Sequence, residues 1–331
     1  MMTRPLQYRK EVGRYERMRH LFILNPAAGR RDITEAIKTA IGKLKISEPY
    51  DVFVTDAPRS AEKETERYIR AHCKDYVCVY ACGGDGTLSE VVNGIYRSGS
   101  RNCAFGVVPV GSGNDFVKSF EIPAERFRDL RLQLRGERID IDILVAKEIS
   151  TKKERVSLNI ISAGYDAAVA KGQEKFKKLP LVSGSAAYKL SLVKCLFSSM
   201  KSYFTVLADD EPFGKTGDGP YLFTIAANGR YYGGGFKASP YSDLCDGYLD
   251  LIKIDSISRA RFLKLVGKFR AGEYFEGNED ILAYKKCKKM QIVSDSPVDL
   301  NLDGEIHKMR NPVVSVKPRA ITMILPAEQQ M

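Results

Sequence analysis

The sequence predicts two architectures in series: a parallel-sheet α/β domain, then an antiparallel β-sandwich. Three observations carry this reading. Up to about residue 110, short apolar runs alternate with helical patterns in a βαβαβαβ rhythm. From about residue 137, alternating β-rich segments take over. Three loops of small and polar residues each follow a strand of the first part, and right-handed crossovers bring the strand C-termini to one sheet edge.

In order, "HLFILNP" (20–26) is a short apolar strand closed by Asn-Pro. "ITEAIKTAIGKLK" (33–45) has apolar residues at helical spacing, and "YDVFVT" (50–55) is a second strand. "SAEKETERYIRAHC" (60–73) is a polar helix with Ser60 as a candidate cap. "DYVCVYA" (75–81) reads as a buried strand, "LSEVVNGIYRSG" (88–99) as a helix and "NCAFGVVPV" (102–110) as another strand. In the second part, strands are expected at 138–146, 155–162, 202–208, 221–229, 248–254, 288–293, 298–304 and 321–325. Two helical inserts interrupt them: an amphipathic segment at 185–200 and a basic one at 256–270. The expected division is a basic, flexible extension over 1–19, with Met18 as an alternative start; an α/β domain over 20–137; a sandwich over 138–312; and a C-terminal strand and tail over 313–331 that can return to the first domain.

Composition narrows the function classes. The chain has 331 residues, 44% hydrophobic and 28% charged, with a net charge of +11. That balance suits an anionic partner. No basic–aromatic nucleic-acid module is visible, so nucleic acid is not expected. The seven cysteines form no Cys-x-x-Cys pair, and only three histidines occur, so a zinc site or histidine triad has little material. No apolar run reaches the ~18 residues of a membrane span, and residues 1–19 lack the apolar stretch of a secretory signal.

The loops carry the chemistry. They are "NPAAG" (25–29), "GGDGT" (83–87) and "GSGND" (111–115), with Thr55 closing the second strand in the same plane. Glycine-rich turns leave backbone N–H groups bare, and at a helix N-terminus those donors favour phosphate. Asp85 would repel phosphate by itself; a divalent cation bridging it to phosphate oxygens resolves the conflict. Thr87 adds a neutral donor. Neither a Walker loop nor G-x-G-x-x-G is present. Three such loops on one edge outweigh the reading of each as a plain turn.

"NPAAG", "GGDGTLSEVVNG" and "VVPVGSGNDF" resemble the nucleotide-binding motifs of the diacylglycerol kinase catalytic-domain family, which includes soluble bacterial lipid kinases and sphingosine and ceramide kinases. NAD kinases and phosphofructokinases share a similar GGDGT loop and first-domain fold. "NGRYYGGGFKASPYSDLCDGYLDLIKI" (228–254) and "LNLDGE" (300–305) resemble bacterial lipid-kinase stretches, so the likeness runs from about 20 to 325. It implies an ATP site from Asn25, Pro26, Ala27, Ala28, Gly29, Thr55, Gly83, Gly84, Asp85, Gly86, Thr87, Leu88, Ser89, Glu90 and Ser112, with Asn114 and Asp115 beside it. It implies a structural Mg2+ at Asp246 with the carbonyls of Asp243 and Tyr248, against the alternative of a plain Asp-Gly turn. Ser112 stands where bacterial members often carry Thr; the hydroxyl is kept.

For phosphoryl transfer to an alcohol, the resemblance puts the proton acceptor in "DLNLDGEIH", as Glu305 or Asp303. Two residues apart, they would share a face of a regular strand unless Gly304 breaks it. The expected activity is transfer of the ATP γ-phosphate to a lipid hydroxyl, first of all diacylglycerol to phosphatidate. Phosphatidylglycerol or a sphingoid base as acceptor, and a non-catalytic nucleotide-binding regulator, are the alternatives. The expected setting is cytoplasmic, with peripheral contact to an anionic leaflet through Lys171, Lys175, Lys177, Lys178, Lys189 and the 256–270 segment; solvated helix faces are the alternative. Members of the family can be dimers, so a homodimer stands among the expected partners, with no interface identified.

Overall fold

The structure is a computed structural model that describes residues 16–29, 31–151, 153–165, 167, 200–214 and 220–328. Two compact units emerge: Met1–Asp142 with Arg319–Met331, and Ile143–Pro318.

The first unit follows the expected rhythm: β1 (Met18–Leu24), α1 (Thr34–Lys43), β2 (Tyr50–Val54), α2 (Ser60–Ala71), β3 (Tyr76–Gly83), α3 (Asp85–Ser98) and β4 (Cys103–Pro109). Two short helices follow, α4 (Ala124–Arg128) and α5 (Leu130–Leu134). The strand order is β2-β1-β3-β4, all parallel. Every residue of β3 is buried, which is what a central parallel strand covered on both faces requires. Phe22, Leu24, Tyr80 and Val108 from the sheet pack with Ile37 and Ile41 of α1 and Leu130 of α5. The chain returns to this unit at its end: Met323 pairs in parallel with Phe105 of β4.

The second unit holds an antiparallel six-stranded sheet. The strands from residue 137 onward are β5 (Glu137–Glu148), whose end enters this unit, β6 (Glu154–Ser157), β7 (Ile160–Gly164), β8 (Thr205–Ala208), β9 (Glu211–Pro212), β10 (Tyr221–Ala227), β11 (Leu249–Asp255), β12 (Leu282–Cys287), β13 (Lys289–Val293), β14 (Val298–Leu302), β15 (Glu305–Met309) and β16 (Pro312–Leu325), which starts in this unit and ends in the first. The six-stranded order is β12-β11-β10-β7-β14-β15. A second layer pairs β16, β13, β8 and β9, with β5 beside β16 and β6 beside β5. The core joins Ile161, Leu251 and Leu300 of one layer with Val206, Met290 and Val314 of the other. The six-stranded sheet also packs against α6 (Arg259–Ala271), started by a Ser258 side-chain cap and closed by Gly272 at φ +80°. β10 is therefore buried at all seven positions.

Three differences from expectation have physical causes. The strand expected at 155–162 is broken in two, because the N–H groups of Leu158, Asn159 and Ile160 turn to one carboxylate, that of Asp303. The expected 298–304 strand ends at Leu302, because Asp303 (φ +50°) and Gly304 (φ +100°) form a two-residue hairpin turn into β15. β12 and β15 lie at the sheet edges, where Lys and Glu are favoured and the apolar alternation fades. The expected amphipathic helix at 185–200 lies outside the described residues but for Met200, as do Lys171, Lys175, Lys177, Lys178 and Lys189.

Candidate active site

In the first unit, backbone chemistry gathers the three glycine-containing loops. Asn25 leaves β1 with its N–H on the Cys82 carbonyl (3.1 Å), and its side-chain amide donates to Thr87 Oγ1 (2.8 Å). Its Oδ1 accepts the Ala27 N–H at 2.9 Å, shaping the Asn25–Gly29 turn. Pro26 is half-buried within that turn and Ala28 is buried. Gly29 sits at φ +79°, and a Cβ there would lie 2.4 Å from the Val110 carbonyl oxygen, so only glycine fits. Thr55 joins the same edge through its N–H on the Leu24 carbonyl, at 2.9 Å.

The Gly83–Thr87 loop packs directly on the Gly111–Asp115 loop. Val110 N–H donates to the Gly83 carbonyl (2.9 Å), and a Cβ on Gly111 would stand 2.5 Å from the Gly84 Cα. The helix α3 starts at Asp85, one residue after Gly84, and that cap position supplies no side-chain hydrogen bond. The sequence reading began this helix three residues later. Asp85, Gly86, Thr87 and Leu88 thus form its first turn, with Ser89 next; the Leu88 N–H is given to the Gly84 carbonyl (3.1 Å), and the N–H groups before it and the positive dipole end suit an anion. Thr87, Leu88 and Ser89 are buried.

The carboxylates of the first unit have structural duties. Asp85 Oδ1 accepts the N–H groups of Asp115 (2.7 Å) and Phe116 (3.4 Å), latching the two loops together. Glu90 accepts from Arg59 N–H (2.8 Å) and Ala61 N–H (3.1 Å), which ties α3 to the start of α2. Asp115 is buried and pairs with Lys118 at 2.6 Å. Asn114 (φ +51°) closes its own turn through Gly111. Ser112 is exposed at the tip.

In the second unit, Asp303 and Glu305 have opposite environments. Asp303 accepts from Ser157 Oγ (2.7 Å), Leu158 N (2.8 Å), Asn159 N (3.1 Å) and Ile160 N (2.9 Å). Part of the residue is exposed, yet its carboxylate is enclosed; burial pushes its pKa above the ordinary carboxylate value against the pull of those donors. Glu305 opens β15 opposite Leu302, with its side chain 43% exposed and His307 Nε2 at 3.4 Å. The hairpin turn therefore separates the two carboxylates, and they do not share a strand face.

The loop before β11 holds the remaining residues. Asp243 Oδ1 accepts the Cys245 N–H (2.9 Å), and Asp246 Oδ1 accepts the Tyr248 N–H (3.0 Å). Asp246 Oδ2 is taken by Lys286 Nζ at 2.6 Å. Among the described residues, no group of three or more His, Cys, Asp or Glu side chains could hold a metal ion.

Sequence reasoning expected a lipid cavity lined by apolar faces of the second domain but named none of its residues; the second unit holds an apolar pocket. It lies between β10, β11 and α6, lined by Leu222, Phe223, Ile254, Phe262, Val266 and Phe269 among others. Phe262, Val266 and Phe269 stand four and three residues apart, so the stripe was legible as one helix face. What it faced was not.

Comparison with known proteins fixes the class. Residues 19–146 match the family model described as the diacylglycerol kinase catalytic domain, and residues 159–325 match the YegS C-terminal NAD kinase beta sandwich-like domain. A diacylglycerol kinase of Bacillus subtilis (strain 168) is 26% identical over 316 residues, 93% of this chain and 96% of the relative. One of Staphylococcus aureus (strain MRSA252) is 29% identical over 290 residues, 87% and 86% of the two chains. Among solved structures, a diacylglycerol kinase from Bacillus anthracis str. Sterne superposes with a TM-score of 0.66 at 19% identity, over 92% of this chain and 96% of that one. The fold and loops define a lipid kinase, a phosphotransferase with an alcohol acceptor and ATP as donor. The chain belongs to the diacylglycerol kinase family.

The loop contact gives a direct expectation. Gly111→Ala should force the two glycine loops apart and weaken ATP binding by about 10-fold, with a smaller fall in melting temperature. Titration of a fluorescent ATP analogue checks it; unchanged affinity would mean the phosphates do not use this contact.

Proposed function

We propose that this chain phosphorylates the free hydroxyl of diacylglycerol to give phosphatidate, with the hydrocarbon tail of the acceptor in the apolar pocket against α6. The observation that carries this is the pocket itself: an aromatic and aliphatic cavity in a chain whose family transfers phosphate to lipids. A hydrocarbon tail buried there gains roughly 0.8 kcal/mol per CH2 group.

In this reading, the triphosphate of ATP lies on the first turn of α3, with the Asn25–Gly29, Gly83–Glu90 and Ser112–Asp115 segments and Thr55 around it. Asp85 acts by holding the two glycine loops together, and Glu90 by tying α3 to the start of α2. Mg2+ brought in with the nucleotide would supply neutralisation of charge on its phosphates. Glu305 takes the proton of the acceptor hydroxyl as that oxygen bonds to the γ-phosphorus and ADP leaves. Two features support Glu305 rather than Asp303 as the base: its carboxylate reaches solvent, whereas that of Asp303 is engaged by four donors.

Among the described residues no helix is long and apolar enough to cross a membrane. A kinase working on a membrane lipid from the cytoplasmic side needs a docking surface. α6 offers the exposed Lys264, Lys268 and Arg270 beside the exposed Leu263, whereas Arg261 is paired with Asp280 at 2.6 Å. These suit an anionic leaflet.

Val266→Phe tests the pocket. Filling it should raise KM for a long-chain diacylglycerol about 10-fold while leaving KM for ATP unchanged, and a dihexanoyl substrate should suffer less. Equal effects on long and short chains would remove the pocket from substrate binding.

A further inference from the structure

The family resemblance puts a structural dication on the Asp243–Tyr248 loop, held by the Asp246 carboxylate and two backbone carbonyls. The residues of this chain do not fit that ion. Asp246 Oδ2 lies 2.6 Å from Lys286 Nζ, and Asp246 Oδ1 is engaged by the Tyr248 N–H at 3.0 Å. Lys286 is not a passing surface side chain. It stands on β12 directly opposite Asp250 of β11, and its Nζ is 3.3 Å from Asp250 Oδ2. Asp250 is 1% exposed, and its other oxygen accepts the Tyr284 hydroxyl at 2.5 Å.

This geometry anchors the ammonium. Removing it from Asp250 would leave a buried carboxylate with a phenol as its remaining side-chain partner, a costly state. A dication on Asp246 would meet that ammonium within a few ångströms, where like charges repel strongly in a half-buried setting. Lys288, whose Nζ is 5.8 Å from the Tyr248 ring centroid, adds further positive charge beside the loop.

We propose that the Lys286 ammonium is the resident cation of this loop. It fills the position on Asp246 that a divalent ion would otherwise take, and ties the loop to β11 and β12 without metal. The inference is independent of which lipid is phosphorylated, because its readouts are metal content and melting rather than turnover.

The test uses the full chain without nucleotide, dialysed against EDTA, then melted with and without millimolar Mg2+ or Ca2+. The wild-type protein should carry well under one metal per chain, and its melting should move by less than about 1 °C on adding either ion. Lys286→Met and Lys286→Gln should melt lower, and either ion should now raise their melting by about 5 °C. Adding Asp246→Asn to Lys286→Met should abolish that response. If both single variants are unfolded in EDTA, recovery of the native far-ultraviolet spectrum with Mg2+ or Ca2+ supports the proposal, and no recovery overturns it. It is also overturned by a wild-type chain holding one tightly bound metal whose removal lowers melting. Folded Lys286 variants that ignore both ions overturn it equally.

Discussion

Glu305→Gln should leave a folded protein that binds ATP normally and turns over at least about 10²-fold more slowly. The amide matches the carboxylate in shape but cannot accept the hydroxyl proton. Glu305 starts an edge strand with its side chain 43% exposed, so the change should not disturb packing. Melting should stay within about 1 °C of wild type. Steady-state kinetics with a short-chain diacylglycerol, alongside ATP titration and a melting curve, separate these quantities. Under the proposed role the lost interaction is one made in the transition state, so kcat should fall while KM for ATP holds. A near-normal kcat would remove Glu305 from the chemistry.

Asp303→Ala should act on stability first. The Asp303 carboxylate gathers Ser157 Oγ and three successive N–H groups, and it is the reason the chain turns between β6 and β7. Each buried donor left without a partner costs about 1–3 kcal/mol, and water can reach some of them. A total loss of about 3–5 kcal/mol is expected. In a chain of this size that lowers the melting temperature by about 10 °C. Asp303→Asn keeps one acceptor oxygen and should fall between. Paired with Glu305→Gln, the variants form a double dissociation: one should lose rate at constant stability, the other stability. A destabilised Glu305→Gln beside a stable, slow Asp303→Ala would reverse the roles.

The parallel half of the fold is legible in the sequence for a simple reason. The inner strands β3 and β4 are continuous apolar runs ended by small or polar residues, as "DYVCVYA" before "CGGDGT" illustrates, and burial at every position of β3 follows from it. The glycine loops are legible because glycine is the residue that permits such close approach, as at Gly29 and Gly111. The duties of the carboxylates are not. The Asp-Gly pair at 303–304 announces a hairpin, yet the Asp303 carboxylate serves one hydroxyl and three N–H donors that lie 143 to 146 residues earlier in the chain. Asp85 reads as a ligand residue but latches Asp115 and Phe116. Lys286 sits in a charged run, "KKCKK", that looks like a solvated edge, until the register sets it opposite Asp250. Spacing along the chain fixes which residues share an element; which side chain meets which is decided by tertiary register.

Incubating the protein with γ-labelled ATP and a panel of diacylglycerol, phosphatidylglycerol, a sphingoid base and a polyprenol in mixed micelles tests the assigned reaction most directly. Label should appear in phosphatidate, fastest with diacylglycerol, and should disappear with Glu305→Gln while ATP still binds. ATP binding with no label in any lipid, or label confined to another alcohol, would contradict it.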